Sequence, residues 1–98
     1  LLGHGVHLGV VVQDVTPELA DYLKVRAGAL VVNVLPGSAA ERGGIHSQDV
    51  ITAVNGTPVT SATDLRRAVS GHKLGDSLQV ELYRGGAKTA VGILLTNR

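Results

Sequence analysis

The chain has 98 residues, no cysteine, phenylalanine or tryptophan, two tyrosines and a formal net charge of +1. That length suits one compact domain, which buries roughly 60–70% of its unfolded surface and needs no disulfide staple. Interspersed charges without stacking aromatics exclude the basic stripe of a nucleic-acid binder, and no apolar run approaches the ~20 residues of a membrane span.

Leu1-Leu2 opens the chain abruptly, as in a piece of a longer protein, with no charged segment of the kind that begins a signal peptide. Leu8 to Val15 reads LGVVVQDV, a β-branched run that predicts a strand with Leu8, Val10 and Val12 on one face and Gly9, Val11 and Gln13 on the other. Thr16-Pro17-Glu18 opens a short helix with a capping hydroxyl, a proline in the first turn and an acid at the positive end of the dipole. Leu19 and Leu23 form its apolar stripe.

Ala29 to Leu35 predicts a second strand with Leu30, Val32 and Val34 in phase. Ser38-Ala39-Ala40-Glu41 is a capping box opening a helix closed by Gly43-Gly44. Asp49 to Val54 is a buried strand ended by the Asn55-Gly56 turn, with a short strand around Pro58-Val59. Ser61 opens a helix from Ala62 to about Ser70, stopping at Gly71, with Ala62, Leu65, Arg66 and Val69 along one side. Ser77 to Arg84 alternates with Leu78, Val80 and Leu82 inward, and Gly85-Gly86 turns the chain into a last strand carrying Val91, Ile93 and Leu95. Six strands and two or three short helices predict a mainly β, partly open antiparallel barrel or sandwich capped by the helices.

The stretch from Pro36-Gly37-Ser38-Ala39-Ala40-Glu41 through Gly43-Gly44-Ile45 to Asp49-Val50-Ile51 and Val54-Asn55-Gly56 resembles the central signature of PDZ domains. Gln48 departs from it, standing where a glycine usually precedes the aspartate. The opening Leu8-Gly9-Val10, then Thr16-Pro17-Glu18-Leu19-Ala20, and the late Ser61–Ser70 helix are similar to PDZ domains of the bacterial HtrA/Deg serine proteases. The resemblance implies the PDZ-like six-stranded fold in circularly permuted order, the usual first strand coming from the C-terminal end of the chain. It divides the chain into a linker over 1–6, the PDZ domain over 7–95 and a tail over 96–98.

It further implies a non-catalytic module of an HtrA-like protease that recognises hydrophobic C-termini, or extended hydrophobic peptides, of substrates or regulators. The setting would be periplasmic or the cell envelope, with homo-oligomers forming through the parent protease. Successive amides in a tight loop can hold a carboxylate without any charged side chain. By resemblance, the loop His7, Leu8, Gly9 and Val10 holds the ligand carboxylate, and Gly9 lets the ligand backbone approach. The ligand then adds as a strand beside Val10, Val11, Val12 and Gln13, with Ala62, Leu65, Arg66 and Val69 as the other wall. Aliphatic walls imply a terminal Val, Leu, Ile, Ala or Phe. Ala62, where many PDZ domains carry a histidine, implies an apolar preference two residues back, and Arg66 would meet an acidic or polar side chain. HtrA-type domains often carry an arginine before the loop; here the segment reads His4-Gly5-Val6-His7.

Other readings carry less. Leu8–Val12 alone could be an ordinary core strand and Arg66 a solvated surface residue. His4 and His7 lack a third metal ligand nearby, so no metal or other cofactor is expected. No serine stands in a nucleophile elbow, and the paired glycines lack the phosphate-loop pattern. A rival function is a scaffold domain that binds a neighbouring subunit and leaves the groove unused.

Overall fold

The computed structural model describes residues 8–95. Its elements are β1 (Val10–Asp14), α1 (Pro17–Leu23), β2 (Ala29–Val34), α2 (Ala39–Gly43), β3 (Val50–Val54), β4 (Thr57–Pro58), α3 (Ala62–Ser70), β5 (Ser77–Arg84) and β6 (Ala87–Leu94). They form one antiparallel sheet in the order β1-β2-β3-β5-β6, with β4 paired to β3. The sheet is not closed. The strand beside β5 comes from the C-terminal end of the chain, as the permuted order requires.

Local chemistry explains most of the boundaries. The hydroxyls of Thr16, Ser38 and Ser61 accept the amides of Leu19, Glu41 and Asp64, capping each helix at its third residue. Both tight hairpins put two consecutive residues at positive φ, Asn55 (51°) with Gly56 (82°) and Gly85 (61°) with Gly86 (82°), as a type I′ turn demands. The core is aliphatic. Val31, Ile51, Val54, Leu78, Val80, Leu82, Ile93 and Leu95 are buried between the sheet and the helices α2 and α3.

In one place the structure corrects the pattern read from sequence, and in another it adds a contact. Leu30, Val32 and Val34 do not share a face. The β1–β2 register shifts between Val11 and Val12, leaving Val32 as the extra residue of a bulge. Ala29 and Val31 therefore face the core, Val34 packs against it, and Val32 is exposed. The added contact is made by Arg84, which closes β5 as the pattern reads while its side chain reaches back to Asp49. Its Nε and Nη2 donate to the two carboxylate oxygens at 2.9 and 2.7 Å, and Nη2 also donates to the Gly44 carbonyl at 2.8 Å. Asp49 is 1% exposed and also accepts the His46 amide at 2.8 Å. Its carboxylate raises the Arg84 pKa above the ordinary arginine range.

Gln48 takes the left-handed conformation, φ 77°, and its amide donates to the Val31 carbonyl at 2.8 Å. The turn that glycine usually makes is thus made by glutamine, with backbone strain in its place.

Candidate functional site

A groove of about 740 Å³ runs between β1 and α3. One wall is Leu8, Gly9, Val10, Val11 and Val12, with Leu35 at its end; the other is Leu65, Arg66, Val69 and Ser70 of α3. Leu65 and Val69 lie on the buried stripe of the helix, four residues apart, and Arg66 stands exposed beside them.

The loop entering β1 is tied from behind. The Leu8 carbonyl accepts the Ala40 amide at 2.9 Å, at the start of α2, and the Gly9 carbonyl accepts the Leu35 amide at 2.9 Å. Among the described residues no acceptor meets the amides of Leu8 and Gly9. Backbone direction then alternates along β1. With the Gly9 carbonyl aimed at β2, the N–H and C=O of Val10 and Val12 face the sheet edge, which no other described strand covers.

Gly9 has φ 94°, and a Cβ there would lie 2.1 Å from the Ser38 Cβ. The expectation that this glycine clears space for a ligand backbone is therefore corrected. Its missing side chain makes room for Ser38, and its freedom at positive φ shapes the loop.

At the far end, Asp14 crosses between the walls. Its Oδ1 accepts the Ala62 amide, the first of α3, at 2.8 Å. Asp64 fixes the same helix start, accepting the Thr60 amide at 3.0 Å and the Thr60 hydroxyl at 2.6 Å. Those bonds hold its carboxyl below the ordinary range, helped by Arg67.

A second hollow, about 780 Å³, lies between α1 and the outer face of β3 and β5. Asp21, Lys24, Arg26, Glu81 and Lys88 share its walls with Ala20, Val25, Ala27 and Ala53, so charge is mixed through it, unlike the first groove. Among the described residues no three metal-ligating side chains cluster, and no helix is long and apolar enough to cross a membrane.

The family model described as "PDZ domain" matches residues 6–95. This chain belongs to the PDZ domain family.

Its curated relatives are proteases of the HtrA type. The protein named "Probable periplasmic serine endoprotease DegP-like" from Rhizobium meliloti (strain 1021) is 41% identical over 88 residues, covering 88% of this chain and 18% of its own length. "Periplasmic serine endoprotease DegP" of Escherichia coli (strain K12) is 40% identical over 90 residues, covering 90% of this chain and 19% of its own. The chain thus spans about a fifth of the length of these relatives and is a PDZ domain without their catalytic part. Among solved structures, the HtrA3 PDZ domain bound to a phage-derived ligand, FGRWV, superposes with TM-score 0.80 at 32% identity, covering 92% of this chain and 84% of that one. The HtrA-type protease AlgW with a decapeptide gives 0.83 at 28% identity, covering 94% and 29%.

The groove of this PDZ domain brings together Leu8, Gly9, Val10, Val11, Val12, Leu65, Arg66 and Val69 from the sequence-predicted set. Gln13 and Ala62 do not line it. Gln13 is exposed beyond its end, and Ala62 is buried at 8% exposure. His7, the linker and the tail lie outside the described residues. Leu35 and Ser70 were missed. Ser70 follows Arg66 by four positions, a readable helical spacing; Leu35 reaches the groove only through strand pairing, which puts Val34 beside Val10.

Proposed function

We propose that this PDZ domain captures the free C-terminal end of another polypeptide. The observation that supports this best is the coincidence of an aliphatic groove, two acceptor-free amides at its Leu8–Gly9 end and an uncovered strand edge along its side. The ligand carboxylate is held by the amides of Leu8, Gly9 and Val10. The preceding residues pair as an added strand with the outward groups of Val10 and Val12. The terminal side chain enters between Leu8, Val10, Leu65 and Val69, which favours Val, Leu, Ile or Ala. The phage-derived ligand of the HtrA3 PDZ domain ends in valine, in keeping with such a pocket. Arg66 at the rim favours an acidic or polar ligand side chain.

The domain serves as the substrate-recognition or regulatory part of an HtrA-like serine protease in the periplasm, a reading supported by the names of its relatives. A fluorescently labelled hexapeptide ending in valine, titrated as free acid and as amide, tests the capture step. The acid is expected to bind at least tenfold tighter. Equal affinity removes carboxylate capture.

A further inference from the structure

The walls of the groove meet before β1 ends. On β1 the lining stops at Val12, and on α3 it begins only at Leu65. Between those limits lies the Asp14–Ala62 bond, at 2.8 Å. Asp14 falls two residues after Val12 and four after Val10, so its side chain takes the same face of the strand. The reach across to the helix follows from that alternation. One carboxylate oxygen is used in the bond; the other meets no partner among the described residues. Ser61 caps a different amide, that of Asp64, so the two acceptors divide the helix start between them.

We propose that Asp14 ends the stretch of ligand that the groove reads and discriminates the charge of the residue just beyond it. This deepens the peptide-capture reading and rests on it. A ligand paired antiparallel to β1 places its last residue at the Leu8–Val10 end. The third residue from its end lies beside Val12 and the fifth beside Asp14. The fifth residue therefore meets a closed groove and a carboxylate, and lysine or arginine is favoured there over aspartate or glutamate. The natural ligands are peptides with an aliphatic terminus, at most four residues read in the groove, and a base at the fifth position from the end.

Three acetylated peptides with free C-termini test this by calorimetric titration of the whole 98-residue chain at low salt. They are Ala-Ala-Ala-Val, Lys-Ala-Ala-Ala-Val and Glu-Ala-Ala-Ala-Val. The lysine form is expected to bind about 2–5-fold tighter than the glutamate form, the range of a solvent-exposed ion pair, and the gap should narrow in about 0.5 M salt. Asp14→Asn keeps an oxygen for the Ala62 amide and removes the charge. It should erase the gap while leaving the affinity for Ala-Ala-Ala-Val within twofold. A fourth peptide, Ala-Ala-Ala-Ala-Val, should match Ala-Ala-Ala-Val in the native chain. Equal binding of the lysine and glutamate forms, a preference for glutamate, or a gap that survives Asp14→Asn overturns the role of Asp14 and leaves capture standing. A further tenfold gain from the added neutral alanine overturns the closed end. Failure of all four peptides to bind overturns the capture reading itself, and this inference with it.

Discussion

A few single residues set much of the stability of the fold. Asp49 is buried, and Arg84 supplies both of its side-chain bonds. Arg84→Ala leaves a buried carboxylate with only the His46 amide, and should cost about 3 kcal/mol in a urea melt. Arg84→Lys should recover only part of that, since an ammonium cannot reproduce the planar two-point contact. Gln48 at φ 77° holds strain that glycine would relieve. Gln48→Gly should stabilise by about 0.5–1 kcal/mol, net of the entropy glycine adds to the unfolded chain, and raise Tm by a few degrees. Gly9→Ala meets Ser38 and should destabilise by about 2–3 kcal/mol; Ser38→Gly in the same chain should return part of the loss. Asp64 supplies a pH dependence. Its folded pKa lies below the unfolded value, so its stabilisation is complete above about pH 4 and disappears as pH falls through the folded pKa. Asp64→Asn should make the acid limb of stability shallower, read from Tm between pH 5 and pH 2.

The helices differ in what they bury, and mutation of their caps should show it. The short α1 has no buried residue, whereas α3 buries Ala62, Leu65 and Val69. Ser61→Ala removes the cap from a helix that packs on the core and should cost about 1 kcal/mol globally. Thr16→Ala removes an equivalent bond from α1 and should open that segment locally, with Tm nearly unchanged. Element by element, the sequence was most readable where the chemistry is local. Cap hydroxyls three residues from the amide they accept, paired residues at hairpin tips and the period-two run of Leu78, Val80 and Leu82 all lie within a short window. The bulge at Val32 was not readable, because a strand's extra residue is defined only against the partner it fails to pair with. Asp49 and Arg84 are 35 positions apart, beyond any spacing rule. The groove itself was largely legible through its family motif and helical stripe. The role of Gly9 was not, since Ser38 approaches it from another element.

At the scale of the molecule, one open sheet edge and one amphipathic helix make the groove, and the rest of the fold keeps them at the right separation. The bonds from Leu8 to Ala40 and Gly9 to Leu35 anchor one end, and Asp14 to Ala62 anchors the other. A ligand that binds only the folded form should raise stability by about 2.7 kcal/mol when present at 100 times its Kd. With no buried residue on α1, the gain should spread through β1, β2 and α3 and leave α1 behind.

The same anchoring gives the binding loop a second audience. Its Leu8 and Gly9 amides meet no acceptor among the described residues, while its carbonyls are held from behind by the amides of Leu35 and Ala40. Whatever quiets the loop must also quiet those two donors, whose hydrogens point at the loop's carbonyls and not into the groove. Slowed deuterium uptake at Leu35 and Ala40 would therefore register occupancy indirectly, carried through two backbone bonds.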